Sequence, residues 1–162
     1  MISNNYSNRL FGRTRGRSKK KIDLKKYHQI VDKYKFQNCD KKINYILDIG
    51  TGYGETSLFL ANQFLDKVII SCEKYIDGNL ILLKNIEKNE INNILLHNGN
   101  VYDVLECAHR ECFDLVWIFF PDPWPKNRHA KRRLITSDFL KKLHNTLKAV
   151  SYTHLTLPTK CW

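Results

Sequence analysis

From Tyr45 onward the chain alternates between short apolar runs and longer stretches in which apolar residues recur at helical spacing. The runs at Tyr45–Ile49, Val68–Cys72, Ile94–His97 and Asp114–Phe119 have the length and continuity of buried strands. The periodic stretches Glu55–Leu65, Gly78–Lys88, Tyr102–His109 and Ser137–Leu147 predict helices. Upstream, Leu24, Tyr27, Ile30, Val31 and Tyr34 share one face of a helix predicted within residues 22–38. Strand and helix alternating in this way predict an α/β domain, a parallel sheet with helices on both faces. Right-handed crossovers then place ligands outside the carboxyl ends of the strands. Chemistry is therefore sought in the segment that follows each strand.

The first strand runs into Asp48-Ile49-Gly50-Thr51-Gly52-Tyr53-Gly54. Glycines let the backbone turn tightly and approach a ligand where a side chain would collide. The bland alternative is a plain strand–helix turn, and the sharper one is a dinucleotide site. The dinucleotide fingerprint needs a glycine three residues after the second one, and Glu55 stands there. A pyrophosphate would meet that carboxylate at the helix N-terminus, where an anion should sit. A zwitterionic ligand without phosphate fits better, with Asp48 facing its cationic end. The second strand ends at Glu73, an acid placed to accept both hydroxyls of a ribose; alone it could equally be an exposed strand-ending Glu. After the third strand, the Asn100 amide is placed to read an adenine edge, or simply to form the turn Asn98-Gly99-Asn100.

The fourth strand leads into Phe120-Pro121-Asp122-Pro123-Trp124-Pro125-Lys126. Its alternating prolines fix φ and remove donors, which holds Asp122 and Trp124 stiffly at the pocket mouth. Arg128-His129-Ala130-Lys131-Arg132-Arg133 follows at once. A charge run is usually a solvated face; beside such a loop, phosphate binding is the better reading. Composition agrees, because a net charge of +11 on 162 residues points to a polyanionic partner. Residues 1–21 form a basic arm carrying Arg13, Arg15 and Arg17. No run is long enough for a membrane span, so RNA or DNA is favoured over lipid. The five cysteines show no paired metal-ligand spacing and read as reduced thiols, with no metal expected.

Taken together these residues resemble the bacterial tRNA (guanine-N7)-methyltransferase family. The likeness runs from Arg9 to about Leu147 and is most specific in FFPDPWPKNRHAKRR, residues 119–133. It implies a Rossmann-like class I S-adenosylmethionine-dependent methyltransferase acting on N7 of a guanosine in the variable region of tRNA. It also implies a cytoplasmic enzyme. Carried over, Asp48, Gly50, Gly52, Gly54, Glu73 and Asn100 would bind the cofactor, with Asp122 both touching it and catalysing. Lys126, Arg128, His129, Lys131, Arg132 and Arg133, with Arg13, Arg15 and Arg17 of the arm, would contact tRNA. The family usually has Glu where Asp48 stands and often Asp where Asn100 stands. Guanine N7 already carries a free lone pair, so the enzyme must chiefly align nucleophile, methyl and leaving sulfur. Asp122 then orients rather than abstracts a proton, and Trp124 is placed to stack on a base.

The resemblance ends near Leu147. About four parallel strands are expected, with later strands missing and the fourth left as an unpaired edge. Residues 22–149 read as a truncated methyltransferase domain. Residues 150–162 match no pattern with a physical basis; they resemble a translated sequencing adapter and are expected to be non-native. An RNA-binding fragment without turnover is the alternative function. A small-molecule methyltransferase or NAD enzyme is a third reading, but would have no use for the basic arm and run.

Overall fold

Tyr45–Ile49 (β1) is buried at all five positions, because helices cover both faces of the sheet at its centre. The computed structural model describes residue 14, residues 24–119 and residues 124–156. In chain order the further elements are α1 (Leu24–Tyr34), α2 (Glu55–Gln63), β2 (Val68–Cys72), α3 (Ile76–Lys88), β3 (Ile94–His97) and α4 (Val101–Cys107). Then come β4 (Phe113–Phe119), a 3-10 turn (Asn127–Arg132), α5 (Ser137–Thr146) and β5 (Leu147–Thr156). All strand pairings are parallel, in the order β3-β2-β1-β4-β5.

The two-residue period of β1 divides the core. Tyr45, Leu47 and Ile49 pack with α4 and α5 through Val101, Val104, Phe139 and Leu143. Ile46 points the other way, against Tyr27 and Val31 of α1, Leu60 of α2, and Leu82 and Ile86 of α3. Ile46 and Leu47 are fully buried, each contributing about 1.5–3 kcal/mol. Asp48, two residues after Ile46, must share the α2–α3 side at the strand's carboxyl end.

The expectation of four strands is corrected to five. β5 begins where α5 ends, at Leu147, and pairs with β4 as far as Phe119↔Thr156, after an irregular step between Phe113 and Leu115. β4 is thus flanked by β1 and β5 and is not the unpaired edge expected. The side-chain pattern does not announce this strand, because the residues after Ala149 alternate weakly and Leu147 continues the period of the helix before it. Main-chain pairing to an open edge needs little side-chain pattern.

At the amino ends of the strands a polar cluster ties four chain segments together. Asp114 of β4 pairs with Lys67, which precedes β2, at 2.5 Å and with Lys148 of β5. Lys148 also donates to Asn44 Oδ1, just before β1, at 2.8 Å. Burial would raise the Asp114 carboxyl, but the hydrogen bonds from Lys148 and Lys67 outweigh it and hold the group below its ordinary range. Among the described residues no helix is long and apolar enough to cross a membrane.

Candidate functional site

The loop after β1 turns on three glycines in the left-handed region, Gly50 at φ +75°, Gly52 at +58° and Gly54 at +84°. A side chain at Gly50 or Gly52 would meet open space, whereas one at Gly54 would run into Leu82 at 2.6 Å. The first two glycines therefore leave room above the strand ends, and the third lets α2 and α3 close together. α2 starts directly after Gly54, with Glu55 in its first turn. That carboxylate stands where a pyrophosphate would otherwise dock.

Asp48 is completely buried. Ser57 Oγ, from α2, donates to its Oδ2 at 2.7 Å, while Oδ1 has no partner among the described residues. Burial pushes the carboxyl up to about 7; the Ser57 hydrogen bond lowers it, and the charge of Glu73 raises it further. A buried acid with one oxygen unpaired is costly unless something cationic or a donor meets it. Such an oxygen beside an open glycine loop fits the positively charged end of a zwitterion.

Glu73, just past β2, is held by three backbone donors. Gly52 N–H donates to Oε2 at 2.9 Å, and Lys74 and Tyr75 N–H donate to Oε1 at 2.8 and 2.9 Å. The carboxylate thus fastens the glycine loop to the end of β2 in one orientation. A carboxylate has about four lone-pair sites; Oε1 already accepts two bonds and Oε2 one, so Oε2 keeps capacity for a ribose hydroxyl. Asn100 is the N-cap of α4, its Oδ1 accepting from Tyr102 N–H at 3.1 Å. Its side-chain oxygen therefore serves the turn.

Two residues of this wall are not evident from the sequence. A Cβ on Gly78, in the first turn of α3, would lie 1.9 Å from Gly52 O. Only glycine allows the helix to approach the loop so closely. Asn79 is fully buried, and its Nδ2 donates to Glu73 O at 2.9 Å, supporting the turn that carries the acid. Both lie within an amphipathic helix pattern, where Gly and Asn look like ordinary first-turn residues. Thr14, the one described residue of the arm, accepts from Ile76 N–H at 2.9 Å, at this same end of α3.

Beyond β4, Asp122 lies outside the described residues, together with Phe120, Pro121 and Pro123. Arg13, Arg15 and Arg17 lie outside them as well. Trp124 is described, at φ +36°. A bulky side chain in that region costs of order 1–3 kcal/mol and persists only when its surroundings hold it. Arg132 lies over its ring, 5.0 Å from the centroid, and the His129 ring meets it edge-on at 5.5 Å. Arg133 donates from Nε and Nη2 to Trp124 O at 3.2 and 3.1 Å. Burial and the charges of Arg132 and Lys126 hold the His129 pKa below its ordinary value, so at neutral pH it is not a cation. Lys126, Arg128 and Lys131 are exposed.

A doubly covered parallel sheet with a glycine loop after β1 and an acid after β2 defines the class: a Rossmann-like methyltransferase fold. Solved structures agree. A precorrin-6y C5,15-methyltransferase of Geobacter metallireducens is similar at a TM-score of 0.54 with 16% identity, covering 85% of this chain and 65% of that one. A SAM-dependent methyltransferase of Aquifex aeolicus is similar at 0.51 with 13% identity, covering 78% and 61%. A family model described as "Putative methyltransferase" matches residues 42–156. The tRNA (guanine-N(7)-)-methyltransferase of Hyphomonas neptunium is 32% identical over 86% of this chain and 68% of its own length. That of Neorickettsia sennetsu is 37% identical over 86% and 64%, and that of Nitrosomonas eutropha 43% identical over 68% and 50%. The chain belongs to this methyltransferase family, the one that includes the tRNA (guanine-N(7)-)-methyltransferases. It spans about half to two thirds of the length of the curated relatives it matches.

Proposed function

We propose that the chain binds S-adenosylmethionine at the carboxyl ends of β1–β3 and directs its methyl group to N7 of a guanosine in tRNA. The observation that carries the reading is the unpaired, buried Asp48 oxygen beside the open glycine loop, in a member of this family. Asp48 would meet the cationic end of the cofactor, and Glu73 its ribose. Gly50, Gly52 and Gly54 would admit its chain, and the Asn100 amide would face the base. Bound there, the cofactor supplies an electrophilic methyl. Guanine N7 offers a lone pair without deprotonation, so the protein's task is alignment. Asp122 is assigned the orienting role at the reaction centre.

The basic turn supports tRNA as the partner. Lys126, Arg128 and Lys131 put three exposed positive charges beyond the carboxyl end of β4, and Arg13, Arg15 and Arg17 are assigned to the same task. His129, Arg132 and Arg133 complete the proposed RNA-facing segment. A cytoplasmic location follows from that substrate. The assignment of residues 150–162 as non-native is also a proposal; β5 crosses the junction whatever its origin, and sequencing the gene across codon 149 tests it.

The test is methyl transfer from labelled S-adenosylmethionine to an unmodified tRNA transcript, with the product mapped by chain cleavage at 7-methylguanosine. Labelling at a guanosine, lost in Asp122→Ala, is the expected result. Tight, salt-sensitive RNA binding with no labelling would replace it by the reading of a fragment that binds without turnover. Labelling retained in Asp122→Ala would remove Asp122 from its role.

A further inference from the structure

The basic run beyond β4 is not chemically uniform. In one set, Lys126, Arg128 and Lys131 are exposed, and their side chains make no hydrogen bond or ion pair with a described residue. In the other, Arg132 and Arg133 turn back onto Trp124. Arg133 spends two donors on Trp124 O and reaches Pro125 O at 3.4 Å, while Arg132 covers the indole face. The 3-10 turn makes this possible. His129 N–H donates to Lys126 O at 2.8 Å and Arg133 N–H to Ala130 O at 3.1 Å, folding residues 126–133 back on themselves. The carbonyl gripped by Arg133 belongs to a residue at φ +36°, a conformation that requires such holding. A planar guanidinium can present two donors to one carbonyl, which an ammonium cannot reproduce in the same geometry.

We infer that Arg133, assisted by Arg132, is a positioning residue that fixes the backbone and ring of Trp124, and that phosphate contact from this run falls to Lys126, Arg128 and Lys131. The inference deepens the reading of this segment as RNA-facing and rests on it. Arg133 then sets where Trp124 stands when a base arrives, without itself neutralising a phosphate.

Two measurements on the full chain test it. The first is binding of an unmodified tRNA transcript over a range of KCl concentrations, for Lys131→Ala, Arg133→Ala and Arg133→Lys. Each lost phosphate contact lowers the slope of log K against log [salt] by roughly 0.7–0.9. Lys131→Ala is expected to show that loss. Both Arg133 variants are expected to keep the wild-type slope while binding about threefold or more weakly at every salt concentration, because a displaced Trp124 forfeits part of its stacking. A slope lowered in Arg133→Ala and restored in Arg133→Lys would overturn the inference, as would unchanged affinity in both.

The second measurement is deuterium exchange of the amides of residues 124–133 without RNA. It is expected to rise in both Arg133 variants and stay unchanged in Lys131→Ala. Unchanged exchange in Arg133→Lys would overturn the inference. If no variant and not even the wild type binds the transcript, the tRNA reading fails, while the exchange result still decides whether Arg133 holds Trp124.

Discussion

Replacing Asp48 by asparagine should stabilise the cofactor-free chain at alkaline pH while weakening its hold on a cationic cofactor. The Asp48 carboxyl is raised by burial to about 7 from an ordinary 3.8, so the folded state binds a proton that the unfolded state releases between those values. Stability must therefore fall as pH rises through that window. At about 1.4 kcal/mol per unit, the penalty is roughly 2 kcal/mol at pH 5 and roughly 4 kcal/mol at pH 8. The amide oxygen of the variant can still accept from Ser57, but the amide hydrogens would inherit the unpaired side, costing about 1–3 kcal/mol at all pH values. That offset cancels when two pH values are compared. Urea unfolding of both proteins from pH 5 to 8 should show the variant gaining about 2–3 kcal/mol on the wild type over that range. Parallel stability curves would refute the reasoning. The functional half can be read by calorimetry. If only the ionised carboxylate meets the cofactor, wild-type affinity should rise about tenfold from pH 6 to 8 as the competent fraction grows. In Asp48→Asn the affinity should be weaker and flat.

Four further changes probe the same architecture. Ser57→Ala removes the hydrogen bond that lowers the Asp48 pKa, so the pH midpoint of cofactor binding should move upward; an unmoved midpoint would disconnect Ser57 from the acid. Gly78→Ala drives a Cβ to 1.9 Å from Gly52 O, where only backbone can give way. A loss of about 1–3 kcal/mol in urea unfolding is expected, with cofactor affinity down tenfold or more. Gly99→Ala should be milder in the same assay, since its nearest neighbour is the His97 ring at 2.7 Å, a side chain that can turn. Asp114→Asn leaves Lys67 and Lys148 without their carboxylate and, because the cluster is partly solvated, should cost about 1–2 kcal/mol at pH 7. Its pKa is depressed, so that cost should shrink as pH falls from 5 toward 3, a trend that urea unfolding of the two proteins would reveal.

The strands are readable because their residues face helices on both sides. β1, β2 and β3 have the bounds that the apolar runs predict, and the helices differ mainly at their ends. β5 is not readable, because a strand added to an open edge is held by main-chain pairing that leaves little imprint on side-chain order. At the candidate site, Asp48, the glycine loop and Glu73 can be proposed from position alone, since each lies at or just past the carboxyl end of a strand. Gly78 cannot: its necessity lies in a backbone oxygen from a segment 26 residues earlier, a contact invisible in one dimension. Nor can the division of the basic run, because Arg133 and Lys131, both exposed, look alike until the 3-10 turn brings the Arg133 guanidinium onto Trp124 O.

The two ends of the sheet treat acids in opposite ways, and the contrast supports the proposed site without reference to any relative. At the amino end, Asp114 is matched by two lysines and its pKa falls; the acid there has structural partners, and the cluster joins strands. At the carboxyl end, Asp48 has a hydroxyl on one oxygen and nothing described on the other, and its pKa rises. A fold that needed only stability would place an apolar residue at the end of β1, as it does at Ile49 beside it. Keeping an under-satisfied acid there costs several kcal/mol at neutral pH, a cost that a bound cation can relieve and that packing within the chain does not. On the proposed function, Asp48 is a preformed half of an ion pair whose other half arrives with the ligand.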